Sequence, residues 1–261
     1  MIARARVMAL GMALMTGAAT TISAQGRRGA PPSGAVRPGT LERVMVQGRD
    51  VLVYLPPSYA TDANRRFPVV YLLAELPIDN LKLQEAADRL ATQQGFSEPI
   101  VVLPDVPRSA GDVEKLVAED LVAYVDGKYR TMTARISRGL GGASLGGDAA
   151  LRVGMKRPAV FSSLFLLSAS VVDATVAMLD GDAANLQRYY SVSINVGAKD
   201  AALAMNRRLH DAMLRLRIPH YYEEFDGTFA DKAAERIETR VLPFFSKNLL
   251  APANPTSPAV Q

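Results

Sequence analysis

Arg138-Gly139-Leu140-Gly141-Gly142-Ala143-Ser144-Leu145-Gly146-Gly147 decides how the rest of this sequence is read. It has the form of a strand end that turns sharply into a helix, with a serine at the corner. Gly142, Ser144 and Gly146 spell G-x-S-x-G, in which the serine sits in a strained turn and the glycines remove Cβ atoms that would clash there. Such a turn leaves Oγ exposed above the sheet and aims the next backbone N–H, that of Leu145, at the point where an oxyanion would form. The surroundings suit this reading. Ile136 and Leu140 precede the turn, and Ala149, Ala150, Val153 and Gly154 follow it at helical spacing.

Working outward, 261 residues at 49% hydrophobic and 21% charged are enough for one sizeable core, and a single domain is expected over 41–250. There is no cysteine, so disulfides, a thiolate site and a lipid anchor on a cysteine after the leading apolar run are all excluded, and stability has to come from packing. Residues 1–24 have a signal-peptide layout: Arg4 and Arg6, an apolar run from Val7 to about Ala19, then Thr20-Thr21-Ile22-Ser23-Ala24. Cleavage after Ala24 is the expectation, with an uncleaved membrane anchor as the alternative. Cleavage would leave no stable membrane insertion. Export without disulfides suits a bacterial periplasm or exterior. Arg4 and Arg6 supply two of the four net positive charges, so the mature chain would carry +2. Its cations form no run interleaved with aromatics, which argues against a nucleic-acid partner. The Gly-, Pro-, Arg- and Ser-rich stretch 25–40 reads as a disordered lead-in, and 251–261 as a disordered tail.

Between these ends strands and helices alternate. Leu41–Val46 and Val51–Leu55 read as a strand pair turning at Gln47-Gly48, and Phe67–Leu73 and Ile100–Leu103 as strands buried on both faces. Leu81–Gln94 reads as a helix capped by Asp79 or Asn80 and stopped by Gly95. A second helix carries Val113, Leu116, Val117, Leu121, Tyr124 and Val125 on one face, capped by Asp112 or a neighbour. After the serine turn come strands at Leu164–Leu167, Val192–Val196 and Tyr221–Phe225. Helices are expected around Ala174–Leu186, over Ala202–Arg217, and over Ala233–Leu249 with a kink at Pro243. This order predicts an α/β fold, a mainly parallel sheet with helices on both faces, whose reactive groups gather at the carboxyl ends of the strands.

Further strings flank the serine turn: Ser137-Arg138-Gly139-Leu140 before it, and Gly147-Asp148-Ala149-Ala150-Leu151, Pro158, Phe161-Ser162-Ser163 and Leu167-Ser168 after it. With Val53-Tyr54-Leu55-Pro56-Pro57-Ser58-Tyr59, Pro68–Leu73, Val125-Asp126, Tyr129-Arg130-Thr131 and Glu224-Phe225-Asp226-Gly227-Thr228, the chain resembles the putative-esterase branch of the α/β-hydrolase superfamily. That branch includes feruloyl and other carbohydrate esterases, siderophore esterases, S-formylglutathione hydrolase and the antigen 85 mycolyltransferases. The resemblance spans Leu41 to Leu249 and implies an α/β-hydrolase fold with little or no lid. It also implies a serine carboxyl-ester hydrolase acting on a small-molecule ester or acylated carbohydrate.

In that family a serine attacks the carbonyl, a histidine takes its proton and a carboxylate orients the histidine. The resemblance carries the nucleophile to Ser144 and the acid to Asp200, for which a helix N-cap serving Ala201 onward is an equal explanation. The histidine belongs third in Gly227-Thr228-Phe229, and Phe229 stands there. Phenylalanine cannot accept a proton. Of the two histidines in the chain, His220 falls at the opposite end of the last strand and His210 in a helix, so neither is expected to serve. The family's His-Gly after the first parallel strand supplies a second oxyanion donor, and here Ala74-Glu75 replaces it. A Glu75 facing the site would oppose the oxyanion, and one facing solvent would only remove a glycine's freedom. The connections Val106–Asp112 and Val171–Tyr190 are also short for this family. Two functions follow: a weak serine esterase, or a non-catalytic pseudo-hydrolase binding an acylated sugar, a cell-wall ligand or a protein. No metal or nucleotide cofactor is expected, because no ligand cluster occurs at metal spacing and 139–147 lacks the Lys-Ser/Thr of a phosphate loop.

Overall fold

A computed structural model describes residues 37–74, 81–106 and 113–249. Strands β1 (Thr40–Val46) and β2 (Arg49–Leu55) pair antiparallel around Gln47 and Gly48, both at positive φ. Pro56 and Pro57 then end β2 and start the short helix α1 (Pro57–Thr61). The continuous apolar runs become β3 (Val69–Leu73) and β4 (Ile100–Pro104), every residue buried, with α2 (Leu83–Ala91) between them. Helix α3 (Val113–Lys115), a π-helical turn Leu116–Asp120 and α4 (Leu121–Lys128) follow one another directly. The chain then alternates through β5 (Arg138–Ala143), α5 (Leu145–Lys156), β6 (Ser163–Leu167), α6 (Asp173–Leu186), β7 (Ser191–Gly197), α7 (Leu203–Arg215) and β8 (Tyr221–Phe225). It closes with α8 (Phe229–Arg236), a π-helical turn Ile237–Val241 and α9 (Leu242–Asn248).

The eight strands lie in the order β1-β2-β4-β3-β5-β6-β7-β8. β2 meets β4 antiparallel, and every pairing from β4 through β8 is parallel. The two core clusters follow from strand alternation. Val69, Tyr71 and Leu73 point to the face covered by α5, whereas Val70 and Leu72 point to the face where Phe245 of α9 packs. Burying both faces of β3 to β6 accounts for their lack of polar alternation. At the amino end of β5, Asp126 accepts hydrogen bonds from Thr131 (2.7 Å) and from Arg138, tying α4 to the strand that delivers the serine.

Of the boundaries that differ from the sequence reading, three have a visible cause or bear on the frame of the site. β1 begins at Thr40, inside the stretch read as lead-in, and Gly39 is already held by Asp88 (2.8 Å) and Gln84 (2.7 Å). α2 is shorter than Leu81–Gln94, and its N-cap is Lys82 in a left-handed conformation; Asp79, Asn80 and Asp112 lie outside the described residues. The last helical segment starts at Phe229 rather than Ala233, because Thr228 caps it by accepting from Asp231 N–H (3.2 Å). Pro243 has no N–H for the Thr239 carbonyl, and the helical ladder loosens to the π form just before it. Among the described residues no helix is long and apolar enough to cross a membrane. Residues 1–24 and 251–261 lie outside the described residues.

Candidate active site

Four adjacent parallel strands deliver residues to one rim. Ser144 follows β5, Ser168 and Ser170 follow β6, Asp200 follows β7 and Phe229 follows β8, all at carboxyl ends.

Ser144 occupies φ 53°, ψ −127°, a strained conformation for a residue with a side chain. Its neighbours make the strain obligatory. A Cβ on Gly142 would overlap the backbone of Gly146, and one on Gly146 would overlap the carbonyl of Leu73. Ser144 N–H donates to Leu167 O (3.2 Å), while Ser144 O accepts from Gly147 N–H (3.0 Å) and Ser170 N–H (2.8 Å), so the turn is bonded on both sides. Leu145, half exposed at 44%, opens α5 with its N–H directed along the helix N-terminus.

Asp200 does not cap α7. That helix begins at Leu203 with no side-chain cap, and the Asp200 carboxylate turns back toward the sheet. It accepts from Ser168 Oγ–H (2.5 Å), Gly197 N–H (3.1 Å) and Phe229 N–H, which reaches both oxygens at 3.0 and 3.1 Å. The carboxylate and position 229 are therefore brought together as the triad pattern requires, but the contact runs through the backbone. The Phe229 side chain is buried in the core cluster that also holds Phe225, Ala233 and Leu167.

Ser144 Oγ has no titratable neighbour within hydrogen-bond reach among the described residues. Its one side-chain contact there is Ser170 Oγ at 3.4 Å. The two histidines are elsewhere: His210 on α7 and His220 just before β8 sit at the amino end of the strand, bonded to each other at 2.8 Å. His220 also bonds Ile218 O (2.7 Å), and burial lowers its pKa below the ordinary 6.5. Glu75 lies outside the described residues. Among the described residues no three His, Asp or Glu side chains gather as metal ligands.

Ser168 and Ser170 were not among the sequence candidates. The signal was there in Leu167-Ser168-Ala169-Ser170, polar residues directly after a buried strand on the same rim. Their partners lie 26 to 32 residues away, a separation that only the fold reveals. Ser168 too has positive φ (44°), and its hydroxyl accepts from Gly197 N–H (3.2 Å) while donating to Asp200.

Solved structures share this architecture. A ferulic acid esterase superposes with TM-score 0.71 at 19% identity, covering 80% of this chain and 97% of that one. An S-formylglutathione hydrolase from Staphylococcus aureus gives 0.66 at 16%, covering 84% and 100%. A ferulic acid esterase from Anaeromyces mucronatus, in complex with ferulic acid, gives 0.66 at 19%, covering 84% and 94%. At these identities the likeness establishes the fold, an α/β hydrolase. The family model described as Putative esterase matches residues 43–233, well over half of the sequence, and the chain belongs to that family.

Proposed function

We propose that this chain is an exported relative of the serine esterases that keeps the acyl-binding turn at Ser144 and has lost general-base catalysis. In this reading it binds a small-molecule ester or acylated carbohydrate and turns it over only at a residual rate. The observation that carries it is the occupancy of the base position. Asp200, the acid of the inherited triad, is taken up by Ser168, Gly197 and the Phe229 amide, while the Phe229 side chain offers no nitrogen. Loss of the histidine alone costs on the order of a million-fold in turnover in a serine protease, leaving roughly a thousand- to ten-thousand-fold over water. The retained strain at Ser144, with glycine required at 142 and 146, supports a turn still shaped to present Oγ beside the Leu145 N–H. The apolar leader at 1–24 supports a secreted or periplasmic location.

Both acylation and deacylation of Ser144 need a base, so an acyl group that does reach it should leave slowly. Incubation with an activated short acyl ester followed by intact-mass analysis tests this. The expected result is a long-lived single acyl adduct that is absent in Ser144→Ala. Rapid turnover with no adduct would overturn it. An inert Ser144 with saturable ester binding would move the reading to the non-catalytic pseudo-hydrolase.

A further inference from the structure

Away from the serine rim, on the face of the sheet covered by α8 and α9, the strands change character. The face is apolar across β3 and β4 and over Phe165 and Leu167 of β6, where Val70, Leu72, Val101 and Leu103 are also buried; Ser163 at the start of β6 is the polar exception. On β7 the same face carries Ser191, Ser193 and Asn195, while Val192, Ile194 and Val196 fill the other. β7 is an interior strand and all three polar residues are buried, so solvent exposure does not explain them. Burying such groups is costly unless something satisfies them.

Ser193 and Asn195, bonded to each other through Asn195 Nδ2–H and Ser193 Oγ (3.2 Å), line a cavity of about 460 Å³ between this patch and the last helices. Phe165, Phe244 and Pro243 give it an apolar wall, with the two phenylalanine rings edge to face at 5.1 Å, and Tyr221 stands 71% exposed beside it. Its polar side is braced from behind. Arg236, 5% exposed, donates to Asn195 Oδ1 (2.6 Å) and Glu223 Oε1 (2.8 Å), both of which line the cavity, and its Nε has no partner among the described residues. Arg240 pairs with the other oxygen of Glu223 (3.0 Å). Lys247 lines the cavity with no ion pair among the described residues.

The charges around this space do not balance. Of the charged residues that line it, Arg240 and Lys247 are cationic and Glu223 alone is anionic, leaving an excess of one positive charge next to an aromatic wall. We propose that the cavity is a second binding site, separate from the serine rim, for a small organic anion with one aromatic ring, a monocyclic carboxylate. The ring lies against Phe165 and Phe244, and the carboxylate meets Lys247. A volume of this size falls in the range of small-molecule sites and takes a single-ring ligand with room to spare. A neutral saccharide would use the same exposed tyrosine and amides but would have no need of the unpaired lysine.

The site uses none of the residues assigned to ester binding, so its test stands apart from that reading. Benzoate is titrated into the full chain by calorimetry and followed by saturation-transfer NMR, with benzamide, acetate and a neutral monosaccharide as comparators. Benzoate should bind with a dissociation constant on the order of 1 mM, and the comparators at least about tenfold more weakly. Lys247→Gln, an exposed substitution, should weaken benzoate by about five- to tenfold, Lys247→Arg should restore it, and Ser144→Ala should change nothing. Equal affinity for benzamide, tighter binding of the monosaccharide, indifference to Lys247→Gln, or loss of binding in Ser144→Ala would each overturn the proposal.

Discussion

Phe229→His is the most informative single change in this molecule. The Phe229 amide lies 3.0 and 3.1 Å from the two oxygens of Asp200, so the backbone at this position is already docked on the carboxylate that would orient an imidazole. A positioned general base contributes roughly 10²- to 10⁴-fold to proton transfer. We therefore expect kcat on an activated ester to rise at least about a hundredfold, equivalent to about 2.7 kcal/mol of barrier. The substitution also removes a ring that is only 7% exposed, and an imidazole replaces part of its packing, so a stability loss of about 1–2 kcal/mol is expected. The assay is initial-rate hydrolysis across pH 5–9 with thermal melting of the same samples. A new imidazole base makes the rate climb as it deprotonates, near or somewhat above the usual histidine range because Asp200 favours its charged form. Adding Ser144→Ala or Asp200→Asn should abolish the gain. A folded variant with no gain, or a gain that survives Ser144→Ala, would refute the triad geometry inferred for Ser144, Asp200 and position 229.

Other predictions concern the frame around the site. Ser168→Ala removes both the hydroxyl bonded to Asp200 and the acceptor for Gly197 N–H, and should cost about 1–3 kcal/mol in chemical denaturation; an unchanged midpoint would mean that the Asp200 network is held by its backbone donors alone. Gly146→Ala forces a methyl into the Leu73 carbonyl and should destabilise by about 2–3 kcal/mol or more, whereas Gly181→Ala on open α6 should stabilise by up to about 1 kcal/mol. A pair of equal effects would contradict the packing described. His220 has its pKa depressed, first by burial and further by His210, so the unfolded chain binds the proton more readily. Its contribution to stability is present above pH 6.5 and is lost as pH falls through the folded pKa, and melting temperature should drop more steeply in that acidic window for the parent than for His220→Gln.

Much of this was written in local sequence. The buried runs at Val69–Leu73 and Ile100–Pro104, the turn at Gln47-Gly48 and the serine elbow each follow from side-chain pattern and glycine placement, which act over a few residues. Features that depend on long-range partners were hidden. Asp200 looked equally like a helix cap or a triad acid because both need a carboxylate after a strand, and only the approach of residues 168 and 229 turns it toward the rim. The two π-helical turns leave no mark on apolar periodicity. The earlier start of α8 was legible in principle, since Thr228 and Asp231 form a cap signature, but a family loop ending in histidine was expected at those residues. That phenylalanine stands third in Gly227-Thr228-Phe229 was plain from the sequence, whereas the hydrogen bonding of Asp200 by backbone and serine donors needed the fold.

Steady-state hydrolysis of a short activated acyl ester by the protein, beside Ser144→Ala, tests the central claim most directly. A base-deficient site predicts parent activity that is small, at most roughly ten-thousand-fold above buffer, and reduced to background by Ser144→Ala. A parent kcat/KM of about 10⁴ M⁻¹s⁻¹ or more, abolished by the same substitution, would show a working base at the rim and contradict it.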